Sequence, residues 1–233
     1  MSNIRLFFQK SLSLNSISKL DKYQSHYLVK VMRLNIGESF SLFNEKGEWR
    51  AEIKDISKGI VNFLVKNKLR SVSNNREIWL AFSPIKFNYQ NLMIQKATEL
   101  GVTKFIPILT DRTIVRKINE KRLNKIIIEA SEQSNRLNIP KLNKISNLDT
   151  FLKQNQSTNI IFGDINSNNN NLNIKNLDPI CILIGPEGDF TARERNSILK
   201  LKNIIPIKIN ENILRSETAA ISITSIISFK MLS

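Results

Sequence analysis

Positions 184–190 read Ile-Gly-Pro-Glu-Gly-Asp-Phe and join an apolar run, residues 180–184, to a helix predicted over residues 191–200. The two glycines would let the backbone turn sharply and approach a ligand closely, while the proline would stiffen the turn. Open α/β sheets bind their ligands beyond the carboxyl ends of strands. The segment is therefore a candidate binding loop, although two glycines alone fit an ordinary strand-to-helix turn slightly better. It matches neither a dinucleotide-binding fingerprint nor a P-loop, because their glycine spacings are absent.

Around this loop, apolar runs of strand length alternate with stretches of helical periodicity. Gly101 would end the first of these helices, since a residue without a Cβ suits the left-handed conformation that follows a helix. Strands are predicted at 77–82, 104–109, 159–162, 181–184 and 204–209, and helices at 88–100, 119–135, 191–200 and 214–231. The alternation predicts an α/β domain with a mostly parallel sheet covered on both faces.

The first 70 residues have a different pattern, with short alternating runs at 38–44, 48–56 and 60–69 separated by turns that contain glycine. This pattern predicts a small antiparallel barrel. One helix is expected to interrupt it, with Ser18 and Asp21 as a capping box at its start. The polar stretch 71–75 has no period, so we expect two domains, residues 1–72 and 73–233.

The charge balance suggests a polyanionic partner. The 233 residues include 35 Lys and Arg against 20 Asp and Glu, which gives a formal charge of +15. Nucleic acid is the first candidate and an anionic membrane surface the second. An alternative is that the abundance of Lys, Asn and Ile reflects an A- and T-rich genome, without any binding role.

Several site classes are excluded by composition. With one cysteine, Cys181, and one histidine, His26, neither a disulfide framework nor a zinc site built from Cys and His can form, and we expect no metal. Cys181 lies in an apolar run and is expected to be a buried, unreactive side chain. No run of about 18 apolar residues occurs. A cytoplasmic protein without a membrane partner is therefore expected.

A second polar segment, residues 213–219, reads Ile-Leu-Arg-Ser-Glu-Thr-Ala and opens the last predicted helix. That helix is otherwise apolar, so its polar groups are concentrated at its start. Simpler explanations exist for two of them, because Glu217 could be a partner of the helix dipole and Arg215 a solvated surface charge.

Taken together, the two segments resemble the signature segments of the RsmE family, which methylates nitrogen 3 of one uridine in 16S ribosomal RNA. The matches follow the family's order along essentially the whole chain. Further matches are Arg5 with Phe7 and Phe8, His26, Val-Met-Arg-Leu at 31–34 with Gly37, Lys-Ala-Thr-Glu-Leu-Gly at 96–101, and Ser-Glu-Gln-Ser-Asn-Arg at 131–136. Each match alone is weak, but the ordered set is specific.

The resemblance implies a PUA-like β-barrel followed by a SPOUT methyltransferase domain, an α/β domain whose chain forms a trefoil knot. It also implies a homodimer, an assembled small ribosomal subunit as the probable substrate form, and S-adenosylmethionine as the methyl donor. The residues assigned to the cofactor by this match are Leu183, Gly185, Glu187, Gly188, Ile209, Leu214, Arg215, Thr218 and Ala219.

Three positions depart from the family pattern. Asp189 stands where a second glycine is usual, and Asp is among the residues that tolerate a positive φ. Asn210 also replaces a glycine, and Asn tolerates the same region. Asn212 replaces an arginine, which puts one RNA or ligand contact in doubt.

The methyl transfer to uridine N3 suggests a role for each of the polar residues. Uridine N3 must lose its proton before it can accept a methyl group, and the base must leave its stack. Arg215 is expected to stabilise the anionic base, while Glu217 or Glu132 would accept the proton. Phosphate contacts are expected from Arg5, Arg33 and Arg136. The alternatives are a SPOUT methyltransferase acting on another RNA such as transfer RNA, and an RNA-binding module without activity.

Overall fold

The structure is a computed structural model that describes residues 4–72 and 76–232. The chain forms two compact units, one made of residues 1–74 with 131–139 and the other of residues 75–130 with 140–233. The predicted boundary places residues 131–139 in the second domain, whereas in the structure they belong to the first unit.

The first unit is built on a five-stranded sheet in which β1 pairs with β3 in parallel and the other pairs are antiparallel. Its elements are β1 (Arg5–Phe7), β2 (Ile17–Lys19), α1 (Lys22–His26) continued by a π-helical turn (Tyr27–Val31), β3 (Ser39–Asn44), β4 (Gly47–Ser57) and β5 (Ile60–Arg70). The sheet order is β1-β3-β4-β5-β2, and register shifts along β4 and β5 mark bulges, which bend strands. The strands and turns predicted between residues 38 and 70 are confirmed.

The start of α1 differs from the prediction. Asp21 is the N-cap residue, and its carboxylate accepts a hydrogen bond from the backbone N–H of Gln24 at 2.7 Å. Ser18 cannot act as a cap because it lies within β2, opposite Phe63. The predicted capping box is therefore wrong, since a three-residue strand is too short to show a period in the sequence.

The second unit contains a seven-stranded sheet in which every pair is parallel. Its elements are β6 (Ile78–Phe82), α2 (Phe87–Glu99), β7 (Lys104–Leu109), α3 (Glu120–Gln133), β8 (Lys141–Leu142), β9 (Ser146–Asn147), α4 (Leu148–Gln154), β10 (Asn159–Gly163), β11 (Ile180–Ile184), α5 (Ala192–Leu199), β12 (Ile204–Ile207) and α6 (Ser216–Lys230). The order is β12-β10-β11-β6-β7-β8, with β9 also paired to β7. The predicted parallel α/β architecture is confirmed, whereas β8, β9 and α4 were not predicted.

β11 occupies the centre of the sheet, between β10 and β6, and all five of its residues are buried. This position explains its unbroken apolar sequence, because a strand covered on both faces has no solvent side. Cys181 is fully buried there, and burial raises the pKa of its thiol to about 12. The thiol is therefore protonated at neutral pH and unreactive.

The ends of several helices follow from local sequence. Gly101, just after α2, has a φ of +107°, as predicted for the residue that ends this helix. Thr191 and Glu194 form a reciprocal capping box at the start of α5. The last helix, α6, packs against α2 and against strands β6 and β11. Its N-terminus therefore lies at the carboxyl end of the central strands.

Candidate functional site

A cavity of about 240 Å³ opens at the carboxyl ends of β10, β11 and β12, three neighbouring parallel strands. Because these strands run in the same direction, the segments that follow them meet at one edge of the sheet. The walls are formed by Gly163, Asp164, Ile165, Ile184, Gly185, Pro186, Glu187, Asp189, Ile207, Lys208, Ile209, Asn210, Asn212, Ile213, Leu214, Arg215, Ser216, Ala219 and Ile223. Both polar segments singled out in the sequence thus contribute to one cavity.

The loop after β11 is held by close packing around its first glycine. A Cβ on Gly185 would lie 2.8 Å from Cε2 of Phe190, so the aromatic ring covers the glycine backbone. The carbonyl of Gly185 accepts a hydrogen bond from the hydroxyl of Ser216 at 2.9 Å, which joins the loop to the first turn of α6. Glycine at position 185 is therefore required by space.

At position 188, by contrast, glycine is required neither by space nor by the backbone conformation. Its φ is not in the left-handed region, and a Cβ there would lie 3.6 Å from the nearest atoms of Arg112, an ordinary contact distance. The left-handed residue is Asp189, with a φ of 59° and its own carboxylate accepting from the N–H of Phe190 at 2.8 Å. The prediction that Asp tolerates this conformation is confirmed, whereas the expectation that Gly188 is needed for a sharp turn is wrong.

The second side of the cavity is formed by the residues at and after the end of β10. The carboxylate of Asp164 is buried and forms hydrogen bonds to Arg195 through both oxygens, with the shortest at 2.7 Å. A Cβ on Gly163 would come within 2.9 Å of Cδ1 of Ile184, so the two strands approach closely at this point. Asp164 therefore shapes the wall as part of an ion pair.

The third side of the cavity is formed by the residues at and after the end of β12. The side-chain oxygen of Asn210 accepts from the backbone N–H of Asn212 at 2.8 Å, a local turn that needs no positive φ. Asn210 therefore satisfies this position by hydrogen bonding rather than by the left-handed conformation considered in the sequence analysis. Lys208 continues from the strand, and its N–H donates to the carbonyl of Asn169 at 2.8 Å.

Arg215 is the N-cap residue of α6, and its side chain is exposed at the cavity wall. Its guanidinium carbon lies 5.2 Å from the centre of the Tyr89 ring. The pKa of Arg215 is raised, first by its hydrogen bond with Tyr89 and then by the charges of Glu217 and Glu187. Arg215 thus carries a full positive charge beside the cavity at any physiological pH.

The residues predicted to hold a cofactor fall into two groups. Those that line the cavity are Gly185, Glu187, Ile209, Leu214, Arg215 and Ala219. Of the other three, Leu183 is fully buried in the sheet, Gly188 lies in the loop outside the wall, and Thr218 is exposed on α6. The assignment of these three to the cofactor stays a prediction.

The sequence analysis missed the contribution of the β10 side, Gly163 and Asp164. The signal was present, because residues 159–162 were predicted as a strand and a Gly-Asp pair follows it directly. Ligands bind beyond the carboxyl ends of parallel strands. The strand at 159–162 is paired with the strand at 181–184, so the same rule includes Gly163 and Asp164 once this pairing is known.

The predicted catalytic carboxylates lie in different surroundings. Glu217 is buried in the first turn of α6 and is not part of the cavity wall. Glu132 belongs to the first unit, and its Oε1 accepts a hydrogen bond from the backbone N–H of Phe7 at 2.9 Å. Glu132 thus has a clear structural role, and a catalytic role for either residue stays a prediction.

The expected phosphate contact by Arg5 is contradicted. Arg5 is 7% exposed, and its side chain pairs with Glu48 at 3.1 Å. Its other nitrogens donate to the carbonyls of Ser131, Glu132 and Arg136. A buried guanidinium that already makes four hydrogen bonds within the protein is poorly placed to reach a phosphate.

The other two predicted RNA contacts differ in exposure. The Arg136 side chain is half-buried, and burial lowers its pKa to about 10, which leaves it charged at neutral pH. A phosphate contact by Arg136 stays a prediction. Arg33 is exposed and has a φ of 58°, so it remains available to RNA. The single histidine, His26, is exposed on α1.

Over residues 4–72 and 76–232, no group of three or more His, Cys, Asp and Glu side chains is arranged to hold a metal ion. Within the same residues, none of the helices is long and apolar enough to cross a membrane.

Comparisons with known proteins agree with this architecture. A family model for the RNA methyltransferase domain matches residues 72–228, and one for the RNA methyltransferase PUA domain matches residues 20–66. A ribosomal RNA small subunit methyltransferase E of Rickettsia conorii is 35% identical over 225 residues, which cover 94% of this chain and 92% of that protein. The Bacillus subtilis protein of the same name is 28% identical, covering 88% and 87%.

Solved structures give the same result. Lpg2936 of Legionella pneumophila, solved in complex with the bound cofactor SAM, superposes with a TM-score of 0.88 at 26% identity, covering 99% of this chain and 98% of that one. A ribosomal RNA small subunit methyltransferase E of Neisseria gonorrhoeae bound to S-adenosyl methionine has a TM-score of 0.88 at 24% identity, covering 98% of both chains, which supports the shared fold alone. The family models identify an N-terminal PUA domain and a methyltransferase domain, and the relatives match this chain nearly end to end. The chain therefore belongs to the ribosomal RNA small subunit methyltransferase E family.

Proposed function

We propose that this protein transfers a methyl group from S-adenosylmethionine to nitrogen 3 of one uridine in the 16S ribosomal RNA of the small subunit. The observation that carries the proposal is the cavity itself, because the two segments that match the family's signatures, 184–190 and 213–219, form adjoining walls of it. The names of the curated relatives supply the RNA substrate.

The cavity walls suit this cofactor. Apolar side chains such as Ile184, Ile209 and Leu214 can cover an adenine ring, while the turns of the loops offer backbone polar groups. The carboxylate of Glu187 is exposed at the wall and would favour the positive sulfonium. When bound, S-adenosylmethionine supplies an electrophilic methyl group on that sulfonium.

Arg215 is suited to activate the acceptor base. Uridine N3 is a poor nucleophile while it carries a proton, and a nearby cation stabilises the base after the proton leaves. The guanidinium of Arg215 keeps its charge at every physiological pH and presents a planar set of donors to carbonyl oxygens. Its place at the N-cap of α6, rather than deep in the wall, leaves the side chain accessible to RNA.

Of the two carboxylates considered as proton acceptors, Glu217 is the better candidate. It lies two residues after Arg215, in the first turn of α6, and so adjoins the group that would contact the base. Glu132 is less suitable because its Oε1 already accepts from the N–H of Phe7.

The protein is further proposed to act as a homodimer. Helices α2 and α6 pack together, and they expose apolar side chains that a partner would cover. These are Leu92 at 44%, Ile226 at 37% and Phe229 at 72% exposed. Phe229→Glu should produce monomers in light scattering, and an unchanged mass would contradict this interface.

A trefoil knot in the second unit is proposed from the family resemblance. Two hydrogen bonds support a path in which the last part of the chain returns to the loops that follow β10 and β11. The Lys208 N–H donates to the Asn169 carbonyl at 2.8 Å, and the Ser216 hydroxyl donates to the Gly185 carbonyl at 2.9 Å. A cytoplasmic location follows from the ribosomal substrate.

The decisive experiment is mass mapping of modified nucleosides in 16S ribosomal RNA from a deletion strain and from the strain complemented with this gene. We expect one uridine to lose its N3 methyl group on deletion and to regain it on complementation. Purified protein is then incubated with labelled cofactor and either assembled subunits, free 16S RNA or transfer RNA. We expect transfer to the assembled subunit, and methylation of transfer RNA alone would contradict the proposal.

A further inference from the structure

Tyr89 is an exposed aromatic side chain in direct contact with a cavity-lining arginine. It lies in the first turn of α2, which follows β6, and β6 pairs with β11 at the centre of the sheet. Its ring centre is 5.2 Å from the guanidinium carbon of Arg215. Tyr89 is therefore beside the cavity without being part of its wall.

Folding does not account for this ring. Tyr89 is 38% exposed, whereas its neighbour in sequence, Gln90, is 5% exposed and accepts a hydrogen bond from the N–H of Ile85. An exposed tyrosine contributes little to a core, and proteins that bind single-stranded nucleic acid use such aromatic side chains as stacking surfaces for unpaired bases.

The pair provides two of the contacts that proteins use on an unstacked base. A tyrosine ring offers a flat apolar surface for stacking, and a guanidinium donates hydrogen bonds to the carbonyl oxygens on the base edge. A base held by both groups would have its edge at the cavity in which the methyl donor is proposed to bind. The +15 formal charge of the chain favours the approach of an RNA strand.

We propose that Tyr89 forms the binding site for the target base together with Arg215, with the tyrosine ring stacking on the unpaired uracil. This inference rests on the proposed function, since it needs a base that leaves its stack to be methylated. Tyr89 is a substrate-binding residue in this arrangement, and Arg215 is the group that activates the base.

Phe87 provides a matched control. It lies two residues before Tyr89 on the same helix, is 51% exposed, and has the guanidinium of Arg122 at 4.1 Å from its ring centre. It thus shares with Tyr89 an exposed aromatic ring and an arginine neighbour. It lacks the hydroxyl, which Tyr89→Phe tests separately, and its neighbour Arg122 is not part of the cavity wall.

The experiment compares Tyr89→Ala, Tyr89→Phe and Phe87→Ala with wild type, using small subunits from the deletion strain. We expect Tyr89→Ala to lower kcat/KM for the subunit by about tenfold or more, as expected for the loss of one base–aromatic stack. Tyr89→Phe keeps the ring and should stay within about threefold of wild type, and Phe87→Ala within about twofold. The Kd for S-adenosylmethionine should be unchanged in all three, because neither residue lines the cavity.

A second measurement locates the base directly. Subunits carrying 5-iodouracil at the methylated position are irradiated with the protein, and the crosslinked peptide is identified by mass spectrometry. We expect the crosslink at Tyr89 and none at Phe87.

Several outcomes would overturn the inference. Wild-type turnover by Tyr89→Ala would do so, and so would equal losses in Tyr89→Ala and Tyr89→Phe, since the hydroxyl alone would then matter by orienting Arg215. A changed oligomeric mass of Tyr89→Ala in light scattering would identify an interface residue instead. Absence of methylation by wild type would refute the proposed function itself, which keeps the two failures apart.

Discussion

Arg5 and Arg215 are the same residue type in opposite surroundings. In the first unit, Arg5 is buried, pairs with Glu48 and donates to three backbone carbonyls of residues 131–136. In the second unit, Arg215 is exposed, with Tyr89 and two carboxylates nearby. Burial lowers the pKa of Arg5, whereas the Tyr89 hydrogen bond raises that of Arg215.

The difference shows what each arginine can do. Arg5 is buried and makes four hydrogen bonds within the protein, so this residue holds residues 131–136 against the sheet instead of binding a ligand. Arg215 has a charge without a full set of partners, so it can bind a substrate. Exposure and the number of hydrogen bonds separate a structural arginine from one that is available to a ligand here, while net charge does not.

The largest effect is expected from removing the structural arginine. Arg5→Ala should lower the free energy of unfolding of the first unit by about 3–5 kcal/mol, because the buried Glu48 would lose one of its two arginine partners and three backbone carbonyls would lose the Arg5 donor. The measurement is denaturant unfolding in a Trp79→Phe background, in which Trp49 is the remaining tryptophan of the two. Arg50→Ala, at an exposed position of β4, is the control and should change stability by less than about 0.5 kcal/mol. Equal effects of the two substitutions would show that the buried cluster is not stabilising.

Removing Arg215 should act on turnover instead. Arg215→Ala should reduce the single-turnover methylation rate about 100-fold with both substrates saturating, and change the Kd for the cofactor much less, if the guanidinium mainly stabilises the anionic base. Arg215→Lys keeps the charge without the planar fork and should recover part of the rate. A wild-type rate in Arg215→Ala at saturation would make this a binding residue alone.

The two glycines of the cavity loop should differ. Gly185→Ala would place its Cβ 2.8 Å from the Phe190 ring and should weaken cofactor binding about tenfold, since the wall must shift. Gly188→Ala meets ordinary contact distances of 3.6 Å and should stay within about twofold. Calorimetry with S-adenosylmethionine measures both, and equal losses would mean that the loop needs glycine for another reason.

The Glu48 ion pairs should give the first unit an acid sensitivity. Burial opposes ionisation of Glu48, but hydrogen bonds from Arg70 and Arg5 outweigh it and lower its pKa. A lowered pKa in the folded state contributes stability above the unfolded value of about 4.3, and this contribution is lost as the pH falls through the folded pKa. Stability of wild type should therefore fall more steeply than that of Glu48→Gln below about pH 4.3. Parallel curves for the two proteins would rule out this linkage.

No effect at all is expected from chelation. Calorimetric titration with S-adenosylmethionine should give the same Kd with and without a chelator, because the proposed cofactor contacts involve no metal ligand. Weaker binding after chelation would reveal a metal that contributes to the site.

Local sequence predicted most elements of regular structure. The alternating runs between residues 38 and 70 became β3 to β5, and the apolar run before Gly185 became the buried strand β11. Short elements such as β2 and β8 were missed because two or three residues cannot show a period. The glycines after an apolar strand marked residues 184–190, and the polar groups at the start of an apolar helix marked residues 213–219. The family resemblance of the two segments then indicated that both belong to one site.

The roles of individual charged residues depended on contacts that the sequence does not display. Arg5 looked like a phosphate-binding residue until its partners, more than 120 positions away at residues 131–136, were found to surround it. No pattern in the sequence marks Tyr89 as a site residue. It lies beside Arg215 because β6 pairs with β11 and α2 packs on α6. Period and composition depend on neighbours along the chain, and therefore determine secondary structure and net charge. Burial and hydrogen bonding depend on residues distant in sequence, so the tertiary structure alone decided that Arg5 stabilises the fold, whereas the family resemblance already indicated Arg215 for the cavity.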